Sequence, residues 1–241
     1  MKKENLKSLS KISPLWYFLN TGLNDGRFNM SCDSYLLNLL ASNLIKLPVL
    51  RIYGWNEPTV SIGVNQAYEN IDCDFINSYC VVKRITGGQA VLHGQAIDEL
   101  TYSLVLSYEY NVKKLYFEVG QILFFFLHKY FLKGKFGYLD SDYLLDFNCF
   151  NSKTSADIVV NDVKVIGSAQ CRKKEHVLLH GSIRLDKICS LSGKYVDFEQ
   201  ASRDLKESFK DKLKIDFLDY TLTDSDLKKI KGKQFESIIR K

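Results

Sequence analysis

Residues 83–94 read KRITGGQAVLHG, and the rest of the chain is best understood outward from them. Two adjacent glycines follow a cationic strand end, and a short apolar strand then delivers His93 to its tip. Gly87 and Gly88 lack a Cβ, so they accept left-handed backbone angles and let a ligand lie close against the main chain. Two readings are open for such a pair: a plain turn between strands, or a cradle. A second segment, KVIGSAQCRKKEHVLLHGSIRLD at residues 164–186, has its own Lys-x-x-Gly and its own strand-borne His-Gly, and it favours the cradle.

The bulk properties set the class. A chain of 241 residues can bury a sizeable core. Its 46% hydrophobic and 25% charged residues are ordinary for a soluble globular protein. A net charge of +5 is mild. Its basic residues are scattered apart from Arg172, Lys173, Lys174 and the 228–241 tail, which gives little reason to propose nucleic acid. The six cysteines (Cys32, Cys73, Cys80, Cys149, Cys171, Cys189) form no CxxC pair and no zinc spacing, so no metal is expected. The opening MKKENLKSLSK lacks a following apolar run, and the longest greasy stretch, Ile122–Leu127, is too short to cross a bilayer. Reduced thiols in a cytoplasm are the natural expectation.

Periodicity places the elements. A capped amphipathic helix is expected from Asn29 or Ser31 to about Ile45, with Leu36, Leu37, Leu40 and Leu44 on one face. Val49–Tyr53 and Thr59–Ile62 alternate like paired strands joined by a turn through Asn56, Glu57 and Pro58. A short helix is expected over Asp72–Tyr79, and strands over Val81–Ile85, Ala90–His93, Thr101–Ser107 and Val177–Leu185. A long helix from about Asn111 to Phe131 carries Leu115, Val119, Ile122, Phe125 and Phe126, which read as core. Asn161 and Asp162 are a two-residue hairpin signal between Ala156–Val160 and Val163–Ile166, so Lys164 opens the second strand on its polar side. Helices over about Asp197–Lys212 and Asp224–Ile239 finish the chain. These elements point to a mixed or antiparallel sheet flanked by helices.

The two glycine segments together resemble the lipoate-protein ligase and octanoyltransferase superfamily, which shares its catalytic fold with biotin protein ligases. The first carries the Arg-x-Thr-Gly-Gly-x-Ala-Val-x-His pattern through Arg84, Thr86, Gly87, Gly88, Ala90, Val91 and His93. The second carries Lys-x-x-Gly-Ser-Ala-Gln and His-Gly-Ser-Ile through Lys164, Gly167, Ser168, Ala169, Gln170, His180, Gly181, Ser182 and Ile183. FNMSCDSYLL (28–37), VLRIYGWNEPTVSIG (49–63) and ELTYSLVLS (99–107) add to it. The resemblance agrees with the sheet-and-helix reading and implies the α+β catalytic fold of that superfamily, as one catalytic domain over residues 1–241, with a core at about 30–220, a short helical tail and no separate C-terminal accessory domain.

The family joins octanoyl or lipoyl groups to one lysine of a lipoyl domain. Ligases do so through an acyl-adenylate made with ATP; transferases take octanoyl from acyl carrier protein onto a cysteine and then pass it on. Both routes need an apolar tunnel and hydrogen-bond donors around the acyl carbonyl. Cys149, in FNCFNSKTSADIVV, stands where the cysteine-dependent octanoyltransferases place their acyl-accepting thiol, in a Cys-Phe pair upstream of the hairpin. By itself a free cysteine beside Phe150 reads as a small buried hydrophobe; the resemblance makes it the nucleophile, with Lys164 favouring the thiolate and managing the proton of the incoming amine. Arg84, Thr86, Gly87, Gly88, Gln89, Ala90, His93, Gly167, Ser168, Ala169, His180 and Gly181 are the implied substrate-binding residues. His93 and His180 are open to an architectural or a chemical role and are assigned to the pocket rather than to proton transfer, while Arg84 with Arg172, Lys173 and Lys174 is open to receiving acidic partners.

Gln89 departs from the pattern, because the family's ligases have a third glycine there, and its side chain would crowd a nucleotide phosphate. The reading that results is an octanoyltransferase without cofactor. Its donor is octanoyl-acyl carrier protein, and its acceptor is a lipoyl domain such as the glycine cleavage H protein or an E2 subunit. An ATP-dependent lipoate-protein ligase and a non-catalytic lipoyl-domain binding module are the alternatives.

Overall fold

The structure is a computed structural model of the chain. It describes residues 8–68, 79–94, 98–137 and 156–240, with side chains as far as residue 232. Cys149, Cys73 and most of the helix expected over Asp72–Tyr79 lie outside the described residues.

The larger of two sheets contains β1 (Leu15–Asn24), β2 (Val49–Trp55), β6 (Glu99–Ser107), β7 (Lys135–Phe136), β8 (Ile158–Val160), β9 (Val163–Lys173), β10 (His176–Arg184) and β11 (Asp216–Asp219). Their spatial order is β11-β1-β2-β6-β10-β9-β8-β7. The β11–β1 and β1–β2 pairs are parallel and the other pairs antiparallel. The smaller sheet has the order β12-β4-β3-β5, built from β3 (Thr59–Ile62), β4 (Cys80–Lys83), β5 (Val91–His93) and β12 (Ile238–Arg240). This is the expected α+β fold, with a mixed sheet covered by helices on both faces.

One face of the large sheet is covered by α2 (Val112–His128) and α4 (Phe198–Leu213), together with the short α3 (Leu185–Ser192). Leu115, Val119, Ile122 and Phe126 of α2 are buried there, as their spacing predicts. The opposite face is covered by α1 (Gly26–Ala41), with α5 (Asp224–Ser237) packed on it. Because both faces are covered, every residue of β2 is buried, Arg51 included. A charge at that depth must be paired.

Several expectations are corrected. Helix α1 begins before Asn29: Asp25 is the cap, and its carboxylate accepts from the Phe28 N–H at 2.7 Å. It ends before Leu44, which is 71% exposed and follows Asn43 at φ +56°. β2 and β3 do not pair with each other. β2 already has β1 and β6 on its two edges, so the chain after Trp55 crosses into the small sheet, where β3 pairs with β4 and β5. β1, α3, β7, β11 and β12 were not foreseen.

The hairpin at Asn161 and Asp162 forms as expected. Both residues have positive φ (47° and 63°), the requirement of a two-residue turn that matches strand twist. β8 then lies against the start of β9, with an irregularity between Ile158 and Val159. Among the described residues, no helix is long and apolar enough to cross a membrane, and no group of three or more His, Cys, Asp and Glu could hold a metal ion.

Candidate active site

A cavity of about 330 Å³ opens where the small sheet meets β2, β6, β9 and β10. Both glycine segments reach it: Gly87, Gly88 and His93 from the first, and Lys164, Gly167, Ser168, Ala169, His180 and Gly181 from the second. Met30 of α1, Tyr53 and Trp55 of β2, and Val91 of β5 give it an apolar surface.

The Gly87–Gly88 loop is shaped by Arg84. Its guanidinium is buried rather than presented to a partner. It donates to the carbonyls of Gly87 (2.9 Å), Gln89 (2.6 Å) and Ser61 (2.7 Å). Gly88 takes the left-handed φ expected of it, +95°; Gly87 does not. The loop also presses on Gly63, where a Cβ would stand 2.1 Å from the Gly88 carbonyl oxygen. Arg84 therefore braces the loop from a position on the cavity wall. Ala90 packs in the core of the small sheet with Val60, Ile62 and Val81, and Thr86 is fully buried. Thr86, Gln89 and Ala90 stand beside the cavity rather than in its lining: Thr86 and Ala90 are buried, and Gln89 is half-buried with its carbonyl held by Arg84.

Both histidines are held at both ring nitrogens. His93 Nε2 lies 2.7 Å from Ser61 Oγ, its Nδ1 lies 2.7 Å from Glu99 Oε1, and its ring stacks on Trp55 at 3.8 Å and 12°. Glu99 also accepts from Ser182 (2.6 Å) and Thr101 (3.1 Å), and the Trp55 Nε1–H donates to Thr101. Burial works against ionising Glu99, but His93 and these hydroxyls outweigh it and hold the carboxyl below the ordinary 4.5.

His180 Nε2 lies 2.7 Å from Thr86 Oγ1, and its Nδ1 lies 3.2 Å from Asp33 Oδ2. Asp33 also accepts from Arg51 (2.6 Å), Ser103 (2.8 Å) and Tyr53 (3.0 Å). Burial pushes His180 below the ordinary 6.5, with Arg84 and His93 adding to it, more than Asp33 restores. Neutral His180 then donates Nδ1–H to Asp33 and accepts the Thr86 hydroxyl proton at Nε2. These bonds make both rings part of the architecture of the cavity wall.

Lys164 is where the polar side of β9 becomes the cavity side. Its ammonium pairs with Asp157 at 3.1 Å, with side chains 2% and 3% exposed. Gly167 gives this pair room, since a Cβ there would stand 3.0 Å from Lys164 Cε and 3.5 Å from Asp157 Oδ1. Gly181 does the same for Tyr102, whose hydroxyl meets Ser168 Oγ at 2.9 Å. Lys173 and Lys174 are exposed at the β9–β10 turn, whereas Arg172 donates to the Tyr108 carbonyl beside the Tyr108 ring.

Sequence reasoning missed Asp33, Arg51, Glu99 and Asp157. The available signal was a charge inside an apolar run: Arg51 in VLRIYGW and Asp157 in ADIVV. Such a residue is buried only with a partner.

Burial lowers the pKa of His180, and the pairing of Asp33 and Glu99 outweighs their burial and lowers theirs, so these three groups contribute one direction of change with pH. Each group binds fewer protons folded than unfolded, so stability rises with pH through its titration range. On acidification, the His180 contribution starts to be lost below about 6.5 and the carboxylates follow near 4. The urea midpoint is expected to fall between pH 7 and 5, and to fall less in His180→Gln; equal slopes in the two proteins would remove His180 from this account.

Comparison with known proteins agrees with this geometry. Residues 25–214 match the family described as lipoyl protein ligase A/B catalytic domain. Octanoyltransferase LipM of Anoxybacillus flavithermus is 36% identical over 217 residues, 82% of this chain and 76% of that protein. LipM of Macrococcus caseolyticus is 36% identical over 183 residues, 70% of this chain and 65% of that protein. Lipoate-protein ligase A bound with ATP superposes with a TM-score of 0.72 at 20% identity, covering 92% of this chain and 94% of that one. A chain from the structural analysis of the bi-partite lipoate protein ligase of Thermoplasma acidophilum and its E2 lipoyl domain gives 0.70 at 18%, covering 92% of each. At such identities the superpositions speak for the fold alone. The family match spans most of the chain and contains both glycine segments and the Asp157–Lys164 pair, so the protein belongs to the lipoyl protein ligase A/B catalytic domain family.

Proposed function

We propose that the protein is a cysteine-dependent octanoyltransferase of protein lipoylation, acting as a single catalytic unit. The donor is octanoyl-acyl carrier protein and the acceptor is the lysine of a lipoyl domain, such as the glycine cleavage H protein or an E2 subunit. The observation that carries this reading is Lys164, a buried ammonium on the wall of a cavity with an apolar floor, in a chain 36% identical to octanoyltransferases over most of its length. A cation held there favours a thiolate brought next to it.

In the first half-reaction the Cys149 thiolate attacks the thioester carbonyl, and the tetrahedral intermediate expels the carrier's thiolate, which takes up a proton. Backbone donors near Gly87–Gln89 or the Gly167 region stabilise the oxyanion. In the second, the neutral amine of the acceptor lysine attacks the acyl-cysteine, an amide forms, and the Cys149 thiolate is released. Lys164 is assigned both proton steps: its ammonium protonates the departing carrier thiolate, and the neutral amine so formed takes the proton that the acceptor lysine loses, which restores the ammonium beside the released Cys149 thiolate. A reducing cytoplasm keeps such a thiol free.

The test is the donor requirement. Octanoyl-acyl carrier protein is expected to modify an apo lipoyl domain in the absence of ATP, while octanoate with ATP and magnesium is expected to give neither product nor pyrophosphate. Pyrophosphate release on adding free acid would replace this reading with that of a ligase.

A further inference from the structure

We propose that Met30 is the gauge of acyl chain length in this cavity, an inference that rests on the octanoyltransferase reading. Among the residues lining the cavity Gly88 is exposed, whereas Met30, Tyr53 and Trp55 are buried and pack together with Val82, so this cluster is taken as the buried end. The groups at the buried end differ in how they are held. Tyr53 is pinned by its hydroxyl on Asp33, with the Arg51 guanidinium 3.9 Å above its ring. Trp55 is pinned by Thr101 at 2.9 Å and by the His93 stack. Met30 is 5% exposed and, among the described residues, no hydrogen bond holds its thioether. A thioether side chain with three rotatable bonds packs adaptably, so it is the movable part of an otherwise rigid floor.

The backbone beneath Met30 is fixed, which makes the side chain a spacer. The residue before it and the residue three later are both fastened to β2. Asn29 accepts from Arg51 at its carbonyl (3.0 Å) and its Oδ1 (2.8 Å), and donates to the Gly54 carbonyl (3.0 Å). Asp33 holds the same guanidinium at 2.6 Å. With α1 fastened on either side of residue 30, a shorter side chain leaves space instead of letting the helix settle inward. Met30→Ala therefore lengthens the apolar end by about three chain atoms. Met30→Phe puts a stiff ring into it and shortens it.

The experiment measures kcat/KM for hexanoyl-, octanoyl-, decanoyl- and dodecanoyl-acyl carrier protein in the wild type, Met30→Ala, Met30→Phe and the volume-conserving Met30→Leu. A methylene that gains or loses its place in an apolar pocket changes selectivity about tenfold or more. The decanoyl-to-octanoyl ratio is expected to rise by about tenfold in Met30→Ala, and the octanoyl-to-hexanoyl ratio to fall by about as much in Met30→Phe, with Met30→Leu close to wild type. Ratios within about twofold of wild type in both variants overturn the gauge. If Met30→Ala does not fold, the Phe and Leu variants still decide it.

Calorimetric binding of the free six-, eight-, ten- and twelve-carbon acids to the same proteins separates the two claims. If the acids bind with the expected reordering but no variant transfers any acyl group, the gauge stands and the transferase reading falls. If the wild type transfers octanoyl and the ratios do not move, the transferase reading stands and the gauge falls.

Discussion

After incubation with octanoyl-acyl carrier protein, wild-type protein is expected to gain about 126 mass units, one octanoyl group, and Cys149→Ala is expected to gain none. The proposed adduct is a thioester on the Cys149 thiolate, and alanine has no nucleophile to offer in its place. Transfer to the lipoyl domain should fall by at least about a hundredfold in the same variant, because both half-reactions pass through the acyl-cysteine. Cys32, Cys80, Cys171 and Cys189 serve as controls, being free thiols without an assigned part in the chemistry. Burial pushes Cys32 and Cys171 up to about 11, which makes them poor nucleophiles near neutral pH. An adduct of the same mass on Cys149→Ala would end the cysteine mechanism, and peptide mapping would then show which residue carries it.

Lys164→Met is expected to abolish transfer and also to destabilise the fold, and the two losses have separable causes. The lysine and Asp157 are buried side by side at 3.1 Å. Removing one partner of a buried pair costs about 3 kcal/mol, since the other charge is deprived of its closest compensation. Urea unfolding should show that loss in Lys164→Met, and much of it should return in the Asp157→Asn/Lys164→Met double variant, where no carboxylate is left to strand. Transfer should not return, because the ammonium is what the chemistry requires, and a drop of about a hundredfold or more should persist in both. If the double variant regains transfer along with its stability, Lys164 is part of the scaffold and nothing more.

The readable parts of the fold share one property: their cause is local. Asn161 and Asp162 announce a hairpin because two consecutive left-handed residues suit few other structures, and both angles are left-handed as expected. Helix α2 is legible because its apolar residues recur at helical spacing, and Asn111 caps it by accepting from the Lys114 N–H at 2.9 Å. The failures come from partners far along the chain. Alternation in β2 and β3 suggested that they pair, yet pairing is decided by which edges are free, and both edges of β2 are taken by β1 and β6. Strand β11 reads as part of a loop between helices; it is a strand because β1 offers it an edge some two hundred residues earlier in the chain, with Leu15 opposite Asp216.

The site divides in the same way. Lys164, the glycine pairs and the two histidines stand in motifs that can be recognised residue by residue, and most of them line one cavity. Their roles were less visible. Arg84 looked like a partner-facing cation and proves to be the brace of the glycine loop, because three carbonyl oxygens converge on it once the loop folds back. The histidines are legible as pocket residues, and what the sequence leaves out is what holds them there: Glu99 on His93 and Asp33 on His180.

By itself, the order of residues determined the turns, the amphipathic faces, the family and the set of groups available for acyl transfer, since each of these depends on neighbours a few positions apart. Only the tertiary structure decided which groups meet: Asp157 with Lys164 across a hairpin, and Asp33 with His180 at a separation of 147 residues. The physical reason is that a buried charge is tolerable only beside its counter-charge. The counter-charge is chosen by how sheets and helices pack, and no local pattern in the chain encodes that choice.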